Sequence, residues 1–294
     1  MAHMEKLALV TGSTDGIGRG AAKLLAEQGW HVVVHGRDPR KVADALADVR
    51  KAARAAKGTA GEITSVTADL SRLEEVHALA DDMLRTHGRL DALVNNAGVA
   101  TPNRSARTRR VTPDGYQLEW QVNFLAAFAL TLRLTGLLVA SAPARVVNVS
   151  SVAQGWGAIH WDDLQLERRW DRMTAYAQSK LALTAFTNEY AHRLAGREVC
   201  ANSLHPGMCS TKMVRSTFVF APHRTRYGAE NITRLVTDPG LRSTSGAYFN
   251  ERRRIEPNGF AHDPAGRRRL WDVALAQSGV ADRADTVLPE LLTA

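Results

Sequence analysis

The chain has 294 residues, 45% of them hydrophobic and 23% charged, which suits one substantial α/β core in an ordinary globular protein. Its net charge of +8 raises nucleic acid as a partner, but much of the excess sits in Arg109-Arg110, Arg252-Arg253-Arg254 and Arg267-Arg268-Arg269, with neither interleaved aromatics nor a reading helix. It therefore reads as a solvated arginine-rich surface, and no nucleic-acid partner is expected. The only cysteines, Cys200 and Cys209, signal no disulfide framework and fall short of a zinc site.

Met1-Ala2-His3-Met4 looks like an expression scar, so the fold is expected to begin at Glu5 or Lys6. From there, short apolar runs at 7–11, 31–35, 63–68, 92–95, 145–149 and 199–204 predict strands. Helical periods between them fall at 16–28, 39–57, 72–87, 114–141 and 174–194. That alternation predicts βαβ units and a parallel sheet buried on both faces, a doubly wound α/β fold of the Rossmann type. Its ligands belong at the carboxyl ends of the strands. The apolar stretch from Val122 to Ala140 is broken by Asn123 and Arg133, so it reads as a buried helix. No integral membrane segment is expected, and a cytoplasmic location is the default. Without repeats or a Pro/Gly/Ser-rich linker, residues 5–294 read as a single domain. Residues 208–246 are the least regular and are expected to form a loop over the substrate.

The first strand runs into Gly12-Ser13-Thr14-Asp15-Gly16-Ile17-Gly18 at the head of a helix, where glycines let backbone approach a pyrophosphate at the helix N-terminus. The second strand ends at His35-Gly36-Arg37-Asp38. An NAD site usually carries an acidic residue there, whereas an arginine accommodates the 2′-phosphate of NADP. Gly36 takes the acidic position, Arg37 follows, and Asp38 before Pro39 reads as a helix N-cap. NADP(H) is therefore the expected cofactor, a plain surface role being the blander reading of Arg37.

Tyr176 and Lys180 are four apart, on one face of a predicted helix. A free tyrosine has a pKa of roughly 10; a neighbouring ammonium stabilises the phenolate and moves it toward useful acid–base range. Ser150-Ser151 and Asn95-Asn96-Ala97-Gly98 end strands, and Asn123 interrupts an apolar helix. With the glycine loop, Asp69-Leu70 and His205-Pro206-Gly207, these residues resemble the short-chain dehydrogenase/reductase family over nearly the whole chain. Trp161-Asp162-Asp163-Leu164 before Tyr176, Gly246-Ala247-Tyr248-Phe249 and Leu270-Trp271 resemble its retinol-dehydrogenase-like branch.

The resemblance implies an NADP(H)-dependent oxidoreductase interconverting an alcohol and a carbonyl compound. Tyr176 would transfer the proton, with Lys180 lowering its pKa and binding the nicotinamide ribose. Ser151 would bond the reacting oxygen, and Asn123 would anchor a water reaching Lys180. Asp69, Leu70, Asn96 and Thr211 would touch the cofactor. Each has a plainer alternative: Ser150 as the working hydroxyl, a helix kink for Asn123, a helix start for Asp69, a strand end for Asn96, a polar loop for Thr211. His160, His192 and His205 lack partners for a metal site or triad and read as structural or surface residues. Trp156, Trp161 and Trp170 are expected to fill a small core of their own loop, a substrate wall being the sharper alternative. The aromatic and aliphatic content of 208–246 points to an apolar ketone or aldehyde as substrate. Family habit leaves a homo-dimer or homo-tetramer open, and a non-catalytic NADP-sensing protein is the competing function.

Overall fold

The computed structural model describes residues 6–55, 60–102, 108–217 and 223–292. Its strands are β1 (Leu7–Val10), β2 (His31–Gly36), β3 (Ile63–Thr67), β4 (Ala92–Asn95), β5 (Ala144–Val149), β6 (Val199–His205), β7 (Tyr248–Asn250) and β8 (Arg253–Ile255). They form one sheet in the order β3-β2-β1-β4-β5-β6-β7-β8. All neighbours are parallel except β7 and β8, which form an antiparallel pair. The chain winds outward from β1 toward β3, then restarts at β4 and winds the other way. The loops after β1 and β4 therefore diverge, and a crevice opens where the strand order reverses.

The helices are α1 (Gly16–Glu27), α2 (Pro39–Arg54), α3 (Leu73–Thr86), α4 (Leu118–Trp120), α5 (Ala126–Ala140), α6 (Arg172–Arg193), α7 (Lys212–Thr217), α8 (Thr225–Thr237), α9 (Pro264–Ser278) and α10 (Pro289–Leu292). Strand side chains alternate between two cores. Ala8, Val10, Val32, Val34, Ala92 and Val94 pack with α1, α2 and α8, while Leu7, Leu9, Val33, Leu93 and Val146 pack with α3, α5, α6 and α9. Both faces are covered, which is why the central strands are continuous apolar runs. Asp38 caps α2 as expected, accepting from Arg40 N and Lys41 N.

Three parts depart from the sequence expectation. The predicted helix 114–141 starts at Leu118 and passes through a π turn, Gln121–Leu125, before α5. The stretch Leu118–Ala140 is long and apolar enough to cross a bilayer, but 83% of its most apolar window is buried inside the protein. Arg133, at 1% exposure, pairs there with Asp81 of α3. Residues 208–246 are not irregular throughout, since they contain α7 and α8. Helix α8 buries Ala229, Ile232, Leu235 and Val236 against α1, so only the part before it borders the cleft. Phe218, Val219 and Phe220 lie outside the described residues. Finally β7, β8 and α9 extend the sheet and its cover beyond the predicted elements.

Candidate active site

A cleft of about 510 Å³ lies at the carboxyl ends of the strands. Its first wall is the turn after β1. Gly12 has φ +63°, a left-handed conformation suited to glycine, and a Cβ there would lie 2.8 Å from Ala97 Cα. Asn96 Nδ2 donates to Thr11 O at 2.8 Å and to Gly12 O at 3.2 Å, tying the end of β4 to this turn. Asp15 caps α1 through Gly16 N and pairs with Lys212 of α7 at 2.7 Å. That hydrogen bond is the leading cause of the lowered Asp15 pKa. The ion pair joins the two lips of the cleft, and Thr211 stands close to Gly16 on the same side.

The opposite wall carries the polar catalytic candidates. Ser151 follows β5 and starts a 3₁₀ turn, Val152–Trp156, accepting from Ala153 N at 3.2 Å. Ser151 and Tyr176 line the same cleft. Tyr248 on β7 donates to the Ser151 carbonyl at 3.0 Å, fixing the turn from behind. Lys180 Nζ donates to Val149 O at 2.8 Å and stands 5.8 Å from the centroid of the Tyr176 ring. Burial pulls the Lys180 ammonium down to about 7. The Tyr176 phenol is pushed above its ordinary value by burial, with the nearby Ser151 hydroxyl pulling the other way. Lys180 is turned to a backbone carbonyl and is itself desolvated.

Asn123 sits at the centre of the π turn. It accepts from Val99 N at 2.7 Å and donates to Val99 O at 2.9 Å and Ser179 Oγ at 3.0 Å. Its side chain thus bonds a neighbouring loop, not the backbone of its own helix. A Cβ on Gly98 would lie 3.2 Å from Asn123 Oδ1 and 3.3 Å from Lys180 Nζ, so the two polar groups converge on that glycine.

A family profile described as "short chain dehydrogenase" matches residues 6–220. The chain belongs to the short-chain dehydrogenase family. It is 33% identical over 293 residues to mouse retinol dehydrogenase 14, covering 94% of this chain and 86% of that one. It is 35% identical over 284 residues to human retinol dehydrogenase 12, covering 94% and 87%. The solved Pseudomonas aeruginosa RhlG/NADP active-site complex is similar with a TM-score of 0.65 and 26% identity, over 83% of this chain and 94% of that one. This short-chain dehydrogenase therefore falls in the retinol-dehydrogenase-like branch. It is an oxidoreductase of the alcohol–carbonyl type, whose fold implies a nicotinamide cofactor.

The dehydrogenase's cleft gathers Gly12, Thr14, Asp15, Gly16, Ile17, Gly18, Arg37, Asp69, Leu70, Asn96, Ser151, Tyr176, Lys180 and Thr211. Ser13 is not in its lining: it is fully buried and bonded to His35. Asp69 accepts from Ser71 N and Oγ, and its own N donates to Glu75 of α3 at 2.7 Å, a turn that leads into α3 while the residue also borders the cleft. Ser150 also borders the cleft, but its hydroxyl is engaged elsewhere, donating to Lys180 O at 3.0 Å and bonding Thr184 Oγ1 at 2.9 Å.

Trp156 departs from the expected loop core, being 60% exposed while lining the cleft. Its turn is fastened by Asn258, whose Nδ2 donates to Gly155 O and Gly157 O. Trp161 does pack, against Phe260 and under the Arg269 guanidinium at 4.1 Å. His205 also lines the cleft and is held neutral by burial, which brings it to about 4. Among the described residues, no group of three or more His, Cys, Asp or Glu could hold a metal ion.

Sequence reasoning missed His35, Tyr248 and the fit of Thr14 against Gly36. The signal for the first was present, a histidine at the end of an otherwise apolar buried strand.

Proposed function

We propose that this dehydrogenase interconverts an alcohol and an apolar ketone or aldehyde using NADP(H), with Tyr176 exchanging the proton at the substrate oxygen. The carrying observation is that Ser151, Tyr176 and a buried Lys180 line one cleft together, Tyr176 and Lys180 one helical turn apart with Nζ 5.8 Å from the ring centroid. When bound, the nicotinamide supplies the hydride transfer; the protein supplies orientation and the proton. The turn from Gly12 to Gly18, with Asn96, Asp69, Leu70 and Thr211 around it, fits a dinucleotide because its backbone is bare and close to the cleft.

At the substrate oxygen, Tyr176 donates its phenolic proton during reduction and takes one back during oxidation. Ser151 hydrogen-bonds the same oxygen and stabilises charge that builds there. Lys180 holds its side chain beside the tyrosine and binds the nicotinamide ribose hydroxyls. Asn123 orients the route by which Lys180 exchanges protons with water.

NADP(H) is supported by sterics as well as charge. A Cβ on Gly36 would lie 2.3 Å from Thr14 Cγ2 and 3.2 Å from Val42 Cγ2. The position where an NAD site places its carboxylate therefore admits a side chain only if Thr14 turns aside, while the exposed Arg37 borders the same space. An apolar substrate is supported by Val99, Leu118, Val122, Trp156, Met213 and Val214, which line the same cleft. A cytoplasmic enzyme acting on small molecules completes the reading, consistent with the burial of Leu118–Ala140.

The test is oxidation of NADPH and NADH by the purified protein over a panel of aldehydes and ketones. Retinal joins the panel because of the relatives' names. Turnover with NADPH on apolar members is expected, and Tyr176→Phe should abolish it while leaving NADPH affinity within about threefold of wild type. Full turnover by that variant sinks the proton-transfer role.

A further inference from the structure

We propose that His35 is a positioning residue for the cofactor, a neutral imidazole that fixes the turn after β1 and the loop after β3 against the end of β2. His35 is 2% exposed and borders the cleft. Its Nδ1 lies 3.0 Å from Gly12 N, and its Nε2 lies 3.1 Å from Ala68 O. A carbonyl oxygen can only accept, so the ring proton belongs on Nε2. That leaves the Nδ1 lone pair to accept from the Gly12 N–H. One tautomer satisfies both partners, and a doubly protonated ring would set two donors face to face at Gly12. Burial holds the ring in the required neutral form.

The backbone of the same residue completes the clamp. His35 N donates to Ser13 Oγ at 2.9 Å, and Ser13 N donates to His35 O at 2.9 Å. Consecutive residues of the turn, Gly12 and Ser13, are therefore both anchored to His35. On its other side Ala68 precedes Asp69 and Leu70, which line the cleft. The imidazole thus sets the spacing between the two loops that would flank the adenosine half of a dinucleotide. This inference rests on the reading of the cleft as a nicotinamide dinucleotide site.

Two amides separate the two halves of the clamp. His35→Asn keeps an oxygen near the place of Nδ1 and so keeps an acceptor for Gly12. His35→Gln keeps a nitrogen near the place of Nε2 and so keeps only the donor to Ala68. The experiment measures NADPH and NADH dissociation constants for wild type, both variants and His35→Leu by titration calorimetry. Cofactor KM, kcat and thermal midpoints are recorded for each. Expected are affinity within about threefold of wild type for the asparagine variant and a loss of about tenfold for the glutamine variant, the scale of one unsatisfied buried donor. The loss should fall on cofactor KM and leave kcat at saturation. Equal affinity across all variants overturns the role of His35 while leaving the cofactor site standing. Asparagine and glutamine variants that lose affinity together, in step with their thermal midpoints, also overturn it, since that marks a purely structural residue. A leucine variant that does not fold leaves the amide pair to decide. A wild-type protein that binds neither dinucleotide refutes the cofactor reading itself, and the proposal with it.

Discussion

Replacing Lys180 with methionine should stabilise the folded protein at neutral pH while removing its activity. Lys180 is 4% exposed, and burial lowers its pKa. Its Nζ has Val149 O as a hydrogen-bond partner, and among the described residues no carboxylate offsets its charge. In the unfolded chain the amine holds its proton up to 10.5, whereas in the folded protein it gives it up at about 7. The unfolded state therefore binds more protons between those values. Lys180 destabilises the native state fully below about 7, and the effect fades as the pH rises toward 10.5. A shift of that size corresponds to about 5 kcal/mol.

Methionine removes the titrating group but leaves the Val149 carbonyl without its donor, a cost of about 1–3 kcal/mol. The net gain is then roughly 2–4 kcal/mol near pH 6.5, a rise of roughly 5–10 °C in thermal midpoint for a domain of this size. Near pH 10 little of the penalty is left, the lost hydrogen bond dominates, and the variant should become the less stable of the two. Urea unfolding of both proteins at pH 6.5 and pH 10, with activity assayed alongside, measures this directly. A methionine variant less stable at pH 6.5, or a gain that does not change with pH, would show that Lys180 is not a buried, uncompensated amine.

The Thr14–Gly36 contact predicts that Gly36→Asp alone harms binding of both cofactors, because the new side chain meets Thr14 Cγ2 at 2.3 Å. Combined with Thr14→Ala it should move the NADPH-to-NADH ratio of kcat/KM toward NADH by at least about tenfold; an unchanged ratio in the double variant refutes the steric argument. Trp156→Ala should raise KM for bulky apolar carbonyls and change stability by no more than about 0.5 kcal/mol, since the ring is 60% exposed. Equal kinetics on large and small substrates would remove it from the substrate site. Burial brings His35 and His205 from 6.5 to about 4, so unfolded chains take up protons in that window that the native protein refuses. Stability should be complete above 6.5 and fall as pH drops toward 4, by up to about 3 kcal/mol per histidine; a flat stability profile over that range in urea unfolding argues against two buried neutral imidazoles.

Legibility in the sequence followed burial. Strands β1, β2 and β4 to β6 are buried along nearly their whole length and read as largely apolar runs ending in a turn, whereas β3 at the sheet edge buries only Ile63 and leaves Ser65 and Thr67 exposed; all six lie where the pattern put them. The outer strands have no such signal. Tyr248–Asn250 is three residues long, and Arg253–Ile255 is an arginine run whose exposed side chains read as a solvated tract. Alternation within a strand carried more than was taken from it. Ser150 shares the phase of Val146 and Asn148, under α6, and its hydroxyl bonds Lys180 O and Thr184 there; Ser151 falls on the other side of that phase, and it lines the cleft with Tyr176. The same alternation separates His35, in phase with Val33, from Gly36, in phase with Val34 and packed toward α2. Period therefore tells which side of the sheet a polar residue takes. Its partner is another matter: Gly12 and Ala68 are 23 and 33 positions from His35 in the chain. They meet its ring only because the sheet order sets β1 and β3 on either side of β2.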